Sequence, residues 1–240
     1  DGDGTTSTGL LLCARQRRAQ VLFAEHDLAL PQVAHAHDPV APAARVAAAP
    51  LAVARQVPEP ARPVEWPDHA VVLLGHLVGD GSYLVHQPLS YTTASEENSD
   101  AVRDASVAFG STVTRHAGRG AWHQLVIAGN GDRWHARGVG AWLKGLGIHG
   151  QRSHEKRLPG EVFRLANRQV ALLLRRLWAT DGCVFSRKPG SRGGSRVYFS
   201  TSSRGLADDV AALLLRMGIV ARLRTVEHAS ARAVHTVDVM

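Results

Sequence analysis

The stretches LLGHLVGDG at residues 73–81 and LRRLWATDG at residues 174–182 share one pattern, an apolar run that ends in Asp-Gly. Each predicts a helix that ends at the acid, because glycine readily stops a helix. The two acids, Asp80 and Asp181, lie 101 positions apart, about the length of one small repeat. Helices packed side by side would bring both carboxylates to one end, where hard oxygen ligands suit a divalent metal. The helix dipole disfavours an acid at a helix C-terminus, so its occurrence twice favours a metal site over two ordinary helix ends.

The charge of the chain indicates a polyanionic partner. The 240 residues have a formal net charge of +7, with arginine as the main contributor. Residues 1–66 have a net charge of −1, whereas residues 67–240 have a net charge of +8. A basic domain favours nucleic acid through counterion release, most simply DNA. The alternative is an ordinary basic surface, since a GC-rich genome enriches a protein in arginine and alanine.

Composition also sets the expected compartment. No apolar run reaches the roughly 18 residues of a membrane helix, and the N-terminus lacks the basic start of a secretory signal. The two cysteines, Cys13 and Cys183, form neither a disulfide framework nor a metal-binding pair. We therefore expect a cytoplasmic protein without membrane association.

The chain divides into a poorly ordered start and an ordered remainder. Residues 1–66 have no stable period, and their prolines interrupt any helix that the alanines begin. We expect a domain boundary near Trp66 after an extended proline-rich linker. Residues 1–50 have the composition of a segment translated out of frame, which a comparison of the three reading frames would test. Residues 67–240 are expected to form one domain.

That domain contains a coarse internal duplication, with a first half at 67–150 and a second half at 151–240. Each half is predicted as helix, strands, helix, strands, and the second lacks the closing helix expected over 139–146. We expect Asp68 to cap the first helix and Ser99 or Asp100 to cap a helix over 101–109. In the second half, a two-piece helix over 161–180 is expected, and Ser203 caps a helix over 206–217. The fold class is therefore α+β.

With these motifs the chain resembles LAGLIDADG homing endonucleases, specifically the endonuclease domain of inteins in bacterial replicative DNA helicases. The resemblance covers roughly residues 52–225. Besides the two signature runs, it rests on RSHEK at 152–156, QVALLLR at 169–175, RVY at 196–198, DDVA at 208–211 and RMGI at 216–219. The resemblance implies two pseudo-symmetric αββαββα halves that form a saddle over double-stranded DNA, with the second half truncated.

The resemblance assigns roles in a metal-dependent double-strand cut. Asp80 and Asp181 would bind Mg²⁺ above the minor groove, with the carbonyl oxygens of Gly79 and Thr180 completing the shell. Two metals about 3.5–4 Å apart activate water and stabilise the leaving oxygen in such sites. Lys156 matches a basic residue that polarises the scissile phosphate or orients water.

The signature helices of the family pack closely through small residues. Gly75 and Gly79 are four apart and share one helix face, as that packing requires. Their counterparts in the second run are Arg176 and Thr180, and Arg176 stands where the family usually has glycine. This departure places close packing and cleavage in question.

Basic residues of the second half are the candidate DNA contacts. The hairpin 187–196 would contact phosphates or guanine edges, and the polar loop before Pro159 would add further contacts. The alternative for these side chains is an ordinary solvated loop. The candidates are Arg152, His154, Arg157, Arg187, Lys188, Arg192 and Arg196.

Three functions follow in order of preference. The first is an intein-encoded, site-specific endonuclease, a monomer whose precursor context is the host helicase. The second is a non-cleaving remnant that binds DNA or RNA. The third is ATP-driven helicase activity, which is disfavoured because the chain has no Gly-x-x-x-x-Gly-Lys-Ser/Thr segment. Splicing by this chain alone is also disfavoured, since the chain lacks three features that the resemblance implies for an intein: a Cys or Ser start, a Thr-x-x-His segment upstream of the endonuclease and a His-Asn end.

Overall fold

The first half folds as a helix, a hairpin, a helix, a second hairpin and a closing helix. The structure is a computed structural model, and it describes residues 58–118, 120–132, 134–186, 194–228 and 231–240. The elements of the first half are α1 (Asp68–Asp80), β1 (Gly81–Ser82), β2 (Leu89–Thr93), α2 (Glu96–Ala108), β3 (Thr112–Ala117), β4 (His123–Ala128) and α3 (Gly138–Gly145).

The second half repeats this order up to its fourth strand. A short 3₁₀ helix, Gly160–Arg164, precedes its first helix. The remaining elements are α4 (Asn167–Asp181), β5 (Gly182–Phe185), β6 (Arg196–Thr201), α5 (Arg204–Arg216), β7 (Ala221–His228) and β8 (Ala231–Val239).

Both halves have a four-stranded antiparallel sheet with the same strand order. The orders are β1-β2-β4-β3 and β5-β6-β8-β7. The register agrees as well, because Tyr91 lies opposite Leu125 in one sheet and Phe199 lies opposite Val237 in the other. These four side chains are buried on the core side of their sheets. The predicted α+β duplication is therefore confirmed, and among the described residues the second half has no counterpart of α3.

In each half, a serine caps the second helix. Ser95 and Ser203 have extended backbones, and their side chains accept hydrogen bonds from the amides of Asn98 and Leu206. The Ser203 cap is confirmed. The expectation that Ser99 or Asp100 caps α2 is wrong: the helix begins at Glu96, because Ser95 already satisfies an amide of its first turn.

The start of α1 also differs from the expectation. Pro67 occupies the cap position without a side-chain hydrogen bond, and Asp68 is the first helical residue. Proline is favoured next to a helix start because it has no amide hydrogen to satisfy. The Asp68 carboxylate instead pairs with Arg168 of α4, at 2.8 and 3.0 Å.

The segment before α1 lies along the equivalent segment before α4. Val64 and Leu165 form a parallel bridge, with the Val64 amide donating to Arg164 O at 2.8 Å. The Trp66 amide donates to the side chain of Gln169. The boundary expected near Trp66 therefore falls within a segment that packs against the second half, while residues 1–57 lie outside the described part of the chain.

The closing helix α3 packs against the base of the first half. The Trp142 ring lies 4.6 Å from that of Phe109 and 5.9 Å from that of Trp66, measured between centroids.

Within the described ranges, no helix is long and apolar enough to cross a bilayer.

Candidate active site

Helices α1 and α4 are in contact along one face, where equivalent residues of the two halves meet. A Cβ on Gly75 would lie 2.6 Å from the Cβ of Arg176, and a Cβ on Gly79 would collide with the side chain of Thr180. Only glycine on α1 permits this approach. Val64 and Leu165 also meet here, so the contacts follow a pseudo-twofold axis that runs parallel to the helices.

Arg176 is accommodated at this contact because its neighbour is a glycine. Its Cβ and stem occupy the space that Gly75 leaves open. Burial lowers the pKa of the guanidinium, and its Nε has no hydrogen-bond partner among the described residues. An arginine at this position therefore fits sterically but costs desolvation.

The close approach brings Asp80 and Asp181 to one cleft at the C-terminal ends of their helices. The cleft has a volume of about 410 Å³. Burial and the Asp181 carboxylate raise the pKa of Asp80 to about 7, while Lys156 opposes the rise. Burial raises the pKa of Asp181 to about 6, again opposed by Lys156. The remaining lining residues are Val78, Gly79, Gly81, Ser82, Ser153, Lys156, Ser200, Thr201 and Ser202.

Lys156 crosses from the second half to the end of α1. Its Nζ donates to Gly79 O at 2.7 Å and to Gly81 O at 2.9 Å, with a longer contact to Leu77 O at 3.4 Å. It lies 5.4 Å from the ring centroid of Tyr83. Burial lowers the pKa of Lys156 to about 8, against the opposing effect of both aspartates. The ammonium satisfies carbonyls that the end of a helix leaves without partners.

The donor set of the cleft fits a hard divalent cation. Two poorly hydrated carboxylates with raised pKa values would gain from a neutralising cation. No group of three or more His, Cys, Asp or Glu side chains suited to a metal occurs in the described ranges. Waters and substrate phosphates would therefore supply the remaining ligands, which suits Mg²⁺. The Gly79 carbonyl already accepts from Lys156, so only its second lone pair is available to a metal.

The candidate DNA contacts are in different surroundings. Arg157 donates to both carboxylate oxygens of Asp209 at 2.8 Å, and Arg196 pairs with Asp238. His154 contacts Arg232. Arg152 is exposed. Arg187, Lys188 and Arg192 lie outside the described residues.

Sequence reasoning missed further basic side chains on the second sheet. Arg222 lies opposite Asp238 in the register, and the Nε of Arg224 lies 3.0 Å from the same carboxylate. Ser200, which lines the cleft, and Arg224 both lie opposite Thr236 of β8, so they share a sheet face. Arg222 is on that face too, because residues two apart on a strand point the same way. The spacing of Arg222 and Arg224 was the signal that would have indicated them.

Parts of the sequence match known proteins. Residues 168–240 match the LAGLIDADG-like domain family. The chain is 40% identical over 182 residues to the replicative DNA helicase DnaB of Rhodothermus marinus, covering 73% of this chain and 19% of that protein. It is 39% identical over 162 residues to DnaB of Synechocystis sp., covering 65% and 18%. The chain thus spans about a fifth of the length of these curated relatives.

Two solved structures are also similar. One is the homing endonuclease I-DmoI in complex with DNA and Mn, with a TM-score of 0.45 and 13% identity over 72% of this chain and 89% of that one. The other is full-length DUF199/WhiA from Thermatoga maritima, with a TM-score of 0.42 and 13% identity over 72% and 52%. Residues 168–240 therefore match the LAGLIDADG-like domain family, and 73% of the chain is similar to one segment of a bacterial replicative DNA helicase.

Proposed function

We propose that the chain is a site-specific DNA endonuclease that makes a metal-dependent double-strand cut. The observation that carries the proposal is the shared cleft, where equivalent helices of two halves each place one aspartate beside a buried lysine. Carboxylate pairs with raised pKa values are typical of sites that hold a cation or transfer protons. The basic surroundings suit a phosphodiester substrate.

Asp80 and Asp181 would hold Mg²⁺ in this cleft. When bound, the cation supplies Lewis acidity and a water of lowered pKa at the scissile phosphate. The two aspartates must be unprotonated to bind it, and the positive charge itself favours that state. Because the halves contribute one carboxylate each, a monomer would supply both of them.

Lys156 would stabilise charge on the scissile phosphate. Its Nζ is held by carbonyls of Gly79 and Gly81 and retains its proton below a pH of about 8. An ammonium with low hydration acts more strongly on a nearby anion than one in bulk water. The hydroxyls of Ser82, Ser153 and Ser200, which line the cleft, would donate to phosphate oxygens.

DNA would lie along the outer faces of the two sheets. On the second sheet this face carries the exposed residues Arg222 and Arg224 beside Arg196. Arginine suits both phosphate and guanine edges. Arg152, His154, Arg157 and the hairpin residues Arg187, Lys188 and Arg192 would contribute in the same way.

The precursor context would be a replicative helicase interrupted by an intein. The similarity to a fifth of helicase DnaB motivates this context, and the chain itself has no ATP-binding loop of the Gly-x-x-x-x-Gly-Lys-Ser/Thr type. The substrate would then be the uninterrupted helicase gene, reached in the cytoplasm.

A DNA- or RNA-binding protein without cleavage is the second candidate. Arg176 favours it, because its half-buried guanidinium, whose Nε has no partner within the described part of the chain, lies on the helix pair that positions both aspartates. In that case the basic surface would bind nucleic acid while the cleft performs no chemistry.

A cleavage assay separates the two candidates. Plasmid carrying the uninterrupted helicase coding region is incubated with the chain and Mg²⁺, with EDTA as the metal-free control. Linear product is expected from the wild type and from Asp104→Asn, an exposed acid on α2. Asp80→Asn and Asp181→Asn should bind the plasmid without cutting it. Binding by the wild type with no Mg²⁺-dependent product would favour the second candidate.

A further inference from the structure

The backbone at Lys156 is hydrogen-bonded to Ser203, the residue that caps helix α5. Ser203 Oγ donates to Lys156 O at 2.6 Å and accepts the Leu206 amide at 3.1 Å. Ser203 is 1% exposed. One hydroxyl therefore caps a helix and holds the lysine backbone at the same time.

Asp209, one turn further along α5, holds the two residues that follow the lysine. Its Oδ2 accepts the Leu158 amide at 3.0 Å, and its two oxygens accept from Arg157 at 2.8 Å. Asp209 is 5% exposed. A buried carboxylate with three charge-assisted or backbone hydrogen bonds fixes its partners firmly.

Gly205 allows the segment to approach α5 this closely. A Cβ at Gly205 would collide with the side chain of Arg157. In the first half, Ser95 occupies the helix position of Ser203, but Ala101 occupies that of Asp209. Among the described residues, the carboxylate contact is therefore seen in the second half only.

We propose that Ser203 and Asp209 are positioning residues for Lys156. Their hydrogen bonds fix the backbone at residues 156–158, so that helix α5 of the second half determines where the ammonium group lies at the end of α1. The backbone of Lys156 is held on one side by α5, while its Nζ is held on the other by carbonyls of α1. The inference rests on the proposed role of Lys156 in phosphodiester cleavage. If the proposal is right, Lys156 can act in cleavage only when the two halves are correctly aligned.

The two functions of Ser203 can be separated by substitution. Ser203→Asp keeps an acceptor that caps a helix as well as serine does, but a carboxylate cannot donate to Lys156 O. Ser203→Thr keeps both the acceptor and the donor. Asp209→Asn removes the charge that holds Arg157, and Asp208→Asn is its matched control because Asp208 is exposed and pairs with Arg204.

The test measures how fast each lysine of the full chain reacts with an acetylating ester, followed by mass spectrometry. The sequence has three lysines, and the exposed Lys144 serves as the internal reference for the buried Lys156. Loss of a buried hydrogen bond should raise the Lys156 rate relative to Lys144 by about tenfold in Ser203→Asp and in Asp209→Asn. Ser203→Thr and Asp208→Asn should stay within about twofold of the wild type.

Unchanged Lys156 reactivity in both Ser203→Asp and Asp209→Asn would overturn the proposal. Thermal melting of each variant identifies any loss of folding, and Asp209→Asn provides a reading if Ser203→Asp does not fold. This readout needs no DNA, so it is separate from failure of the proposed cleavage. Where cleavage is measured, a displaced lysine lowers kcat with KM unchanged, and Ser203→Thr restores kcat.

Discussion

The two halves of the molecule fold alike but carry different charge. Residues 67–150 contain six Lys or Arg and seven Asp or Glu, whereas residues 151–240 contain sixteen and seven. Their sheets share strand order and register. The fold therefore depends on the buried pattern, which is common to both halves, and tolerates large differences outside it.

Part of the difference lies on the outer sheet faces. By register, Thr114 of the first sheet corresponds to Arg222 of the second, and His116 corresponds to Arg224. We infer that both halves contribute equally to the metal site while the second half supplies most of the attraction to DNA phosphate. Substitutions in the cleft, in the helix pair and on the sheet faces test this division.

If the two halves contribute equally to the cleft, removing either carboxylate should lower the cleavage rate by the same factor. Asp80→Asn and Asp181→Asn should each lower the cleavage rate by about 10³-fold or more, since each removes an ionised metal ligand. DNA affinity in the absence of metal should change little. Single-turnover cleavage and filter binding measure the two quantities, and a variant that keeps more than about a tenth of the rate would show that its half is dispensable.

The contact between α1 and α4 should not tolerate a methyl group at Gly79. Gly79→Ala should lower the free energy of unfolding by about 3 kcal/mol, the upper end of overpacking costs, because its Cβ meets Thr180. Gly145→Ala is the control, since a Cβ there meets nothing within 4 Å. Denaturant unfolding measures both.

The same contact can be tested by exchange between the halves. Thr180→Gly combined with Gly79→Ala should recover most of the lost stability, giving a coupling of more than about 1 kcal/mol. Additive losses would mean that the two residues do not meet.

Charge on the outer sheet faces should control the salt dependence of binding. Arg222→Thr should reduce the slope of log K against log salt by about 0.9, the value for one phosphate contact. Thr114→Arg, the reverse change in the first half, should steepen it if DNA covers both sheets. Arg103→Gln on the exposed side of α2 is the neutral control. Equal slopes for wild type and Arg222→Thr would contradict the assignment of this face.

The aspartates should lower stability as the pH rises. Their pKa values in the fold, about 7 and about 6, lie above the value of 3.8 for an ordinary aspartate. Each therefore stabilises the fold fully below about pH 4, and this contribution is lost as the pH rises through 6 and 7. At pH 8, Asp80→Asn should raise Tm by about 2–4 °C, the shift for about 1 kcal/mol in a chain of this size.

Mg²⁺ should likewise raise the Tm of the wild type at pH 8, and it should change the Tm of Asp80→Asn little. A Tm of Asp80→Asn below that of wild type at pH 8 would show that the ionised carboxylate is not under strain in the metal-free cleft.

The features that sequence predicts are those with local signatures. The Asp-Gly helix ends, the four-residue spacing of Gly75 and Gly79 and the Ser203 cap all depend on near neighbours along the chain. The duplication followed from the repeated order of these signatures. They account for the helix pair and the shared cleft.

Features that depend on distant partners were not predictable. The pairing of Arg157 with Asp209, 52 residues away along the chain, has no local signature in the sequence. The DNA contact of Arg157 stays a prediction. The pairing of Val64 with Leu165 likewise requires the folded halves to be in place. Nothing near Lys156 in the sequence shows that α1 carbonyls receive its ammonium.

The proposed function requires one divalent cation to be held jointly by Asp80 and Asp181. Anomalous diffraction from a crystal of the chain with duplex DNA and Mn²⁺ would locate that cation. We expect a peak within about 2.2 Å of a carboxylate oxygen from each aspartate, close to the distances of hard six-coordinate cations. A cation bound by one aspartate alone, or found outside this cleft, would contradict it.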